Sequence, residues 1–117
     1  MSGTVSYHSG LAAEEIVAAH YARYGHEIVA RRWRSKAGEI DLIVRKDDYV
    51  IFVEVKKSKT HDRAAESLGS EQIGRIYTSA AVFLDGEPNG QNTDARFDVA
   101  LVDAKGAISI LKNIPCV

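Results

Sequence analysis

Two strings, Gly38-Glu39-Ile40-Asp41-Leu42-Ile43 and Phe52-Val53-Glu54-Val55-Lys56, flank a short turn at Lys46-Asp47-Asp48. Glu39 to Arg45 reads as a strand. Tyr49 to Lys57 reads as the next, dense in the β-branched and aromatic residues Val50, Ile51, Phe52, Val53 and Val55. Across a hairpin centred near Asp47-Asp48, positions whose numbers add to about 95 face each other, so Asp41 is expected opposite Glu54. Directly opposed Cβ atoms lie about 4.5–5.5 Å apart. Alternation puts Ile40, Leu42 and Val44 on one face of the first strand and Glu39, Asp41 and Ile43 on the other. In the second strand it gives Glu54 and Lys56 a common face, with Val53 and Val55 turned away.

Carboxylates are out of place in such strands, because Asp is disfavoured there and a buried carboxylate is costly without a partner. Two of them this close repel unless a cation lies between. A hard divalent ion suits the pair, and Mg²⁺ in particular takes one or two carboxylates with waters and substrate phosphate. A lysine on the same face serves to orient or deprotonate a water, or to neutralise charge developing on a phosphate. Asp41 with Glu54 and Lys56 is thus a compact set for metal-assisted phosphodiester hydrolysis. The plainer alternative is a salt-bridge ladder on a strand surface; the apolar setting of both strings argues against it.

Working outward, Gly10 to Tyr24 has Leu11, Ile16, Val17 and Tyr21 mixed with alanines at helical spacing, and Gly25 stops the helix. With Leu11 and Val17 facing the core, Glu14 lies on that side and Glu15 turns roughly 100° away. Residues 1–9 are expected to be a flexible lead-in to one domain over 10–117. Glu27 to Arg34 is a strand, Ser35 to Gly38 a turn, and Ser58 to Ser70 a loop. Glu71 to Leu84 is a helix through Ile73, Ile76, Ala80 and Phe83. Strands follow at Arg96 to Val102 and Ala107 to Leu111. The order α-β-β-β-α-β-β predicts an α/β fold, a central mixed sheet flanked by helices.

A chain of 117 residues makes one domain and buries a core without a metal or disulfide staple. One cysteine, Cys116, excludes a disulfide framework and a Cys-based zinc site. No apolar run approaches the roughly 20 residues of a membrane span, and Met1 to Thr4 has no secretory pattern, so a cytoplasmic protein is expected. The net charge of −1 argues against a strongly basic, indiscriminate nucleic-acid binder but leaves room for a local basic face. It hides an asymmetry: residues 23–63 hold 11 basic and seven acidic side chains, and the acidic excess lies in the remainder. His8, His20, His26 and His61 show no helical zinc spacing. There is no nucleophile elbow, phosphate loop or dinucleotide fingerprint. Trp33, between Arg32 and Arg34, suits packing better than base stacking. Asp98 is read as a structural partner for Arg96 or a loop amide.

An Asp followed by Glu-x-Lys on the next strand resembles the PD-(D/E)XK nuclease superfamily. The chain is similar over nearly its whole length to the YraN-like bacterial family, related to Holliday-junction resolvases. The likeness runs through Ala13-Glu14, Gly25, the two strings above, Arg75 to Leu84, Arg96-Phe97-Asp98-Val99 and Leu111-Lys112-Asn113-Ile114. Ile40 replaces the motif's proline, Ala13 stands where the family favours Gly, and Arg32 where it favours Asn. The resemblance implies a restriction-endonuclease-like αβββαβ core and a Mg²⁺- or Mn²⁺-dependent nuclease acting on DNA, on branched or repair intermediates. It implies that Asp41, Glu54 and the Val55 carbonyl hold the metal. It gives Lys56 the water or phosphate, and adds Glu14 and Gln72 to the catalytic set. Arg32, Arg34, Lys36 and Lys57 are the expected nucleic-acid contacts. Resolvases cut as dimers, which makes a homodimer an expectation too. The competing function is a non-catalytic nucleic-acid- or protein-binding module on the same fold; a purely structural protein leaves Asp41 and Glu54 unexplained.

Overall fold

The computed structural model describes residues 2–116, with side chains from residue 12 onward. Its elements are α1 (Ser2–Arg23), β1 (Glu27–Arg34), β2 (Glu39–Lys46), β3 (Tyr49–Lys57), α2 (His61–Glu66), α3 (Ser70–Leu84), β4 (Ala95–Val102) and β5 (Ile108–Leu111). The sheet order is β1-β2-β3-β4-β5. Strands β1 to β3 form an antiparallel meander, β3 and β4 run parallel through the α2–α3 crossover, and β5 returns antiparallel to β4. This is the mixed α/β sheet expected, and it is compatible with a restriction-endonuclease-like core. No helix among the described residues is long and apolar enough to cross a membrane.

A helix covers each face. Ala13, Val17, Ala18 and Tyr21 of α1 pack on Leu42, Val44, Ile51, Val53, Ala100 and Val102. Ile73, Ile76 and Ala80 of α3 pack on Ile43, Val50, Phe52, Phe97, Val99 and Leu101. Along β3 and β4 the two sets alternate, as period-two burial requires. Gly25 ends α1 at φ 89, a conformation open to glycine. The β2–β3 turn is tight: Lys46 pairs with Tyr49, and Asp47 adopts φ 56.

Three local readings change. Helical backbone extends back to Ser2, through the stretch read as a lead-in; Leu11, expected on the core face, lies outside the described side chains. The Ser58–Ser70 loop contains α2. Thr60 caps it by accepting from the Arg63 amide, and Ala64 is its buried residue, too little apolar content to announce a helix. In β2, Ile40 does not share a face with Leu42 and Val44; it packs with Ile43 on the α3 side. The alternation therefore breaks at Asp41. The packing role expected for Trp33 holds: it sits edge-on against Phe83 beside the core, with ring centres 5.5 Å apart.

Candidate active site

The backbone ladder between β2 and β3 ends at Leu42 and Val53. Asp41 and Glu54 are next in that register, as the hairpin arithmetic predicts. Here β2 leaves its partner, while β3 stays paired with β4 as far as Lys57. The Asp41 carboxylate fills the gap: its Oδ2 accepts the Val55 amide at 2.9 Å, in place of a backbone carbonyl. An amide and carbonyl of one strand residue point to the same side, so the Val55 carbonyl also turns toward the opening.

Glu54 is 6% exposed and faces the α3 side with Phe52. Gln72, in the first turn of α3, donates its Nε2 to Glu54 Oε2. Lys56 Nζ stands 3.8 Å from the same oxygen. The Asp41 and Glu54 carboxyls approach within hydrogen-bonding range. Burial first, then that bond and the charge of Asp41, push the Glu54 carboxyl from about 4.5 up to about 9; Lys56 draws it down and Glu39 adds to the rise. At neutral pH the Glu54 carboxyl thus keeps its proton. The same electrostatic demand is met by a hard cation, for which two carboxylates and a carbonyl are apt oxygen donors. Among the described residues no group of three or more His, Cys, Asp or Glu side chains gathers as a metal cage, so the side-chain offer to an ion is this pair.

Glu14 is placed differently. It lies on α1, across the sheet from α3, and its Oε1 accepts Arg32 Nε at 3.0 Å. Glu15 is turned outward onto Arg31. Arg32 falls opposite Asp41 in the β1–β2 register, between the pairs Arg31–Leu42 and Trp33–Ile40. Glu14 therefore reaches the site strands through an arginine. Arg34 meets Glu39 at 3.5 Å, and Lys36 and Lys57 are exposed. All four proposed nucleic-acid contacts stand at the sheet end that holds Asp41 and Glu54. Arg75, outside the set of candidates, is three positions beyond Gln72 and so on its side of α3. A Cβ on Gly38 would lie 3.9 Å from its Cβ, so it borders the turn leading into Asp41. No strand or helix periodicity marks such a residue. Only the docking of the 35–38 turn on α3 does.

Residues 13–102 match the profile of the uncharacterised protein family UPF0102. The chain belongs to that family. A UPF0102 protein of Cereibacter sphaeroides strain ATCC 17029 is 58% identical over 113 residues, 97% of either chain. One of Ruegeria pomeroyi is 53% identical over 111 residues, 95% of this chain and 90% of the relative. One of Dinoroseobacter shibae is 45% identical over 112 residues, 96% and 84% respectively. The family match spans Glu14, Asp41, Glu54, Lys56 and Gln72, so the whole candidate site lies inside the shared domain.

Proposed function

We propose that this UPF0102 protein is a divalent-metal-dependent nuclease of the PD-(D/E)XK type that hydrolyses DNA phosphodiesters. The supporting observation is the buried meeting of Asp41 and Glu54 where β2 parts from β3, with Lys56 and Gln72 against Glu54. Asp41, Glu54 and the Val55 carbonyl would hold Mg²⁺ or Mn²⁺, which when bound supplies Lewis-acid charge to the phosphate and acidifies a water. Asp41 is positioned by the Val55 amide and Glu54 by Gln72, so both carboxylates are held before substrate arrives. Lys56 is on the same side, able to hold the attacking water or meet charge on the phosphate. Glu14 acts through Arg32, as a positioning residue for the strand that carries Asp41's neighbours. Arg32, Arg34, Lys36 and Lys57 line the approach for the phosphate backbone. The proposed setting is the cytoplasm, where an exposed Cys116 stays reduced. A homodimer would give paired cuts on branched DNA.

The test is Mg²⁺- or Mn²⁺-dependent cleavage of linear, flapped and four-way DNA by wild type and Glu54→Gln. Cleavage by the wild type is expected to drop by about 10²-fold or more in the variant, since a metal-holding carboxylate is lost. If neither protein cuts any substrate and the substitution leaves metal binding unchanged, the nuclease reading fails. Binding without cutting would support the non-catalytic module instead.

A further inference from the structure

The far end of the sheet carries a second charged surface. There a cleft of about 400 Å³ lies between the end of α1 and the strands, lined among others by His20, Tyr24, His26, Lys46, Arg96 and Lys112, and by no carboxylate. These residues come from four distant parts of the chain, and Lys112 lies beyond the span matched to the family. Tyr49, whose ring lies under Arg96 of this cleft, is five steps of β3 from Glu54, about 17 Å at 3.3 Å per residue. The cleft is floored by Tyr21 and Ile110 on the α1 side, whereas Glu54 is bonded by Gln72 of α3, so it opens on the face away from Glu54. The two sites share no residue.

The charges in this cleft are uncompensated. Arg96 is the exception: its guanidinium is held by buried Asp98 and lies 5.7 Å from the centre of the Tyr49 ring. Among the described residues Lys46 and Lys112 have no carboxylate within ion-pair distance; Asp47 lines the neighbouring cleft. Lys46 gives one hydrogen bond to the Tyr24 carbonyl at 3.3 Å, and an ammonium has two more donors to offer. Two other carbonyls at this end of α1 are already taken: Tyr21 O by the Tyr24 and His26 amides and the His26 Nδ1, and Ala22 O by the Gly25 amide. The local field is positive enough to be felt by His20, whose imidazole is pushed below its usual value by burial and by Arg23, His26 and Lys112. Tyr24 is 59% exposed, with its ring centre 5.0 Å from that of His20. It offers a flat face beside the lysines. A cleft of this volume is in the range that holds a small ligand.

We infer that this cleft is a second, metal-independent site for a nucleotide phosphate, with Lys46, Lys112 and His20 around the phosphate and Tyr24 stacked on the base. Phosphate on lysines and a base on an exposed aromatic is the way single strands are held without sequence preference. The same chemistry fits a free nucleotide or one unit of a strand. The inference does not depend on cleavage at Asp41 and Glu54.

The test is binding in EDTA, followed by the His20 and His26 imidazole NMR signals. The probes are inorganic phosphate, thymidine monophosphate and 5′-phosphorylated tetrathymidylate. Expected are shifts in both imidazoles on adding thymidine monophosphate or the tetramer. Lys46→Ala/Lys112→Ala should weaken tetramer binding about tenfold and lower its salt slope by about 1.4, at roughly 0.7 per lost single-strand phosphate contact. Lys112→Glu, a change at an exposed position, tests the charge without touching the helix end and should abolish the shifts. Tighter binding of the tetramer than of the monophosphate assigns a strand; equal binding assigns a nucleotide. Either outcome supports the cleft. Binding that leaves His20 and His26 unmoved, or that survives Lys112→Glu, overturns it. So does the absence of binding by every probe. Because no metal is present, the result is independent of whether Glu54→Gln abolishes cleavage.

Discussion

Among the carboxylates of the described residues Glu54 is pushed up furthest, and that should show in stability. Its carboxyl titrates near 9 in the folded chain, against about 4.5 ordinarily, for the reasons of burial and the adjacent Asp41. Between those values the native chain keeps a proton that the unfolded chain has released. The sign follows: the contribution is fully present below about 4.5, and stability falls as pH rises toward 9. In EDTA the Tm of the wild type should decline across this window. Glu54→Gln should flatten the decline and melt higher than wild type at pH 8, while losing the stabilisation that Mg²⁺ gives the wild type. Equal pH profiles for the two proteins would remove the buried acid pair from the account. Asp98 is the contrasting case of a buried acid fully provided for. Its oxygens take Tyr21 OH, Arg96 and the Asn113 amide, and it is wholly buried. Tyr21, buried against it, is correspondingly hard to deprotonate. Asp98→Ala strands all three donors and should cost about 3–5 kcal/mol, read as a fall in Tm of roughly 10 °C or more. The role of Asp98 is legible in the sequence because Arg96 stands two places away on the same strand face. The partnership of Asp98 with Tyr21, 77 positions distant, is not.

At the scale of elements, periodicity announces all five strands and the two long helices, because each buries a regular stripe. What escapes it are features built from exceptions. Helix α2 rests on one cap and one buried alanine. The break in β2 at Asp41 is hidden because Ile40, Leu42 and Val44 alternate as a clean stripe on paper, yet the chain turns between the first two. That turn is what frees the Asp41 carboxylate to face Glu54. Next to it, Arg32 adopts φ 51, a left-handed backbone state that suits Asn better than Arg. Arg32→Asn should therefore relieve backbone strain of order 1 kcal/mol, offset by the loss of the half-exposed pair with Glu14, which contributes no more than about 1 kcal/mol. The expected change in Tm is within about 4 °C of zero, whereas Arg32→Val, β-branched and without a polar end, should lower it clearly. Similar melting of the two variants would show that the backbone at this position is soft.

Over the whole molecule, a net charge of −1 is compatible with a polyanion ligand because the charges are sorted by place. The sequence shows the basic excess of residues 23–63, since those residues are contiguous. It does not show that Arg32 and Arg34 are engaged by Glu14 and Glu39, or that Lys46 and Lys112 meet at the other end of the sheet. The engaged arginines set a limit on affinity, because a phosphate must displace a carboxylate to reach them. With Arg32, Arg34, Lys36 and Lys57 all on phosphates, the slope of log K against log salt for duplex DNA is about −3.6, or about a hundredfold loss between 50 and 200 mM salt. Measured by anisotropy on a labelled four-way junction with Ca²⁺ present, Lys36→Ala/Lys57→Ala should cut that slope by about 1.8 and weaken binding to every DNA tested alike, since phosphate contacts carry no sequence. Replacing Glu39 by Gln should act in the opposite direction, releasing Arg34 and strengthening binding at low salt. A slope unchanged by the lysine substitutions would mean that DNA approaches another face, and the cleft at the far end of the sheet is then the surface to substitute next.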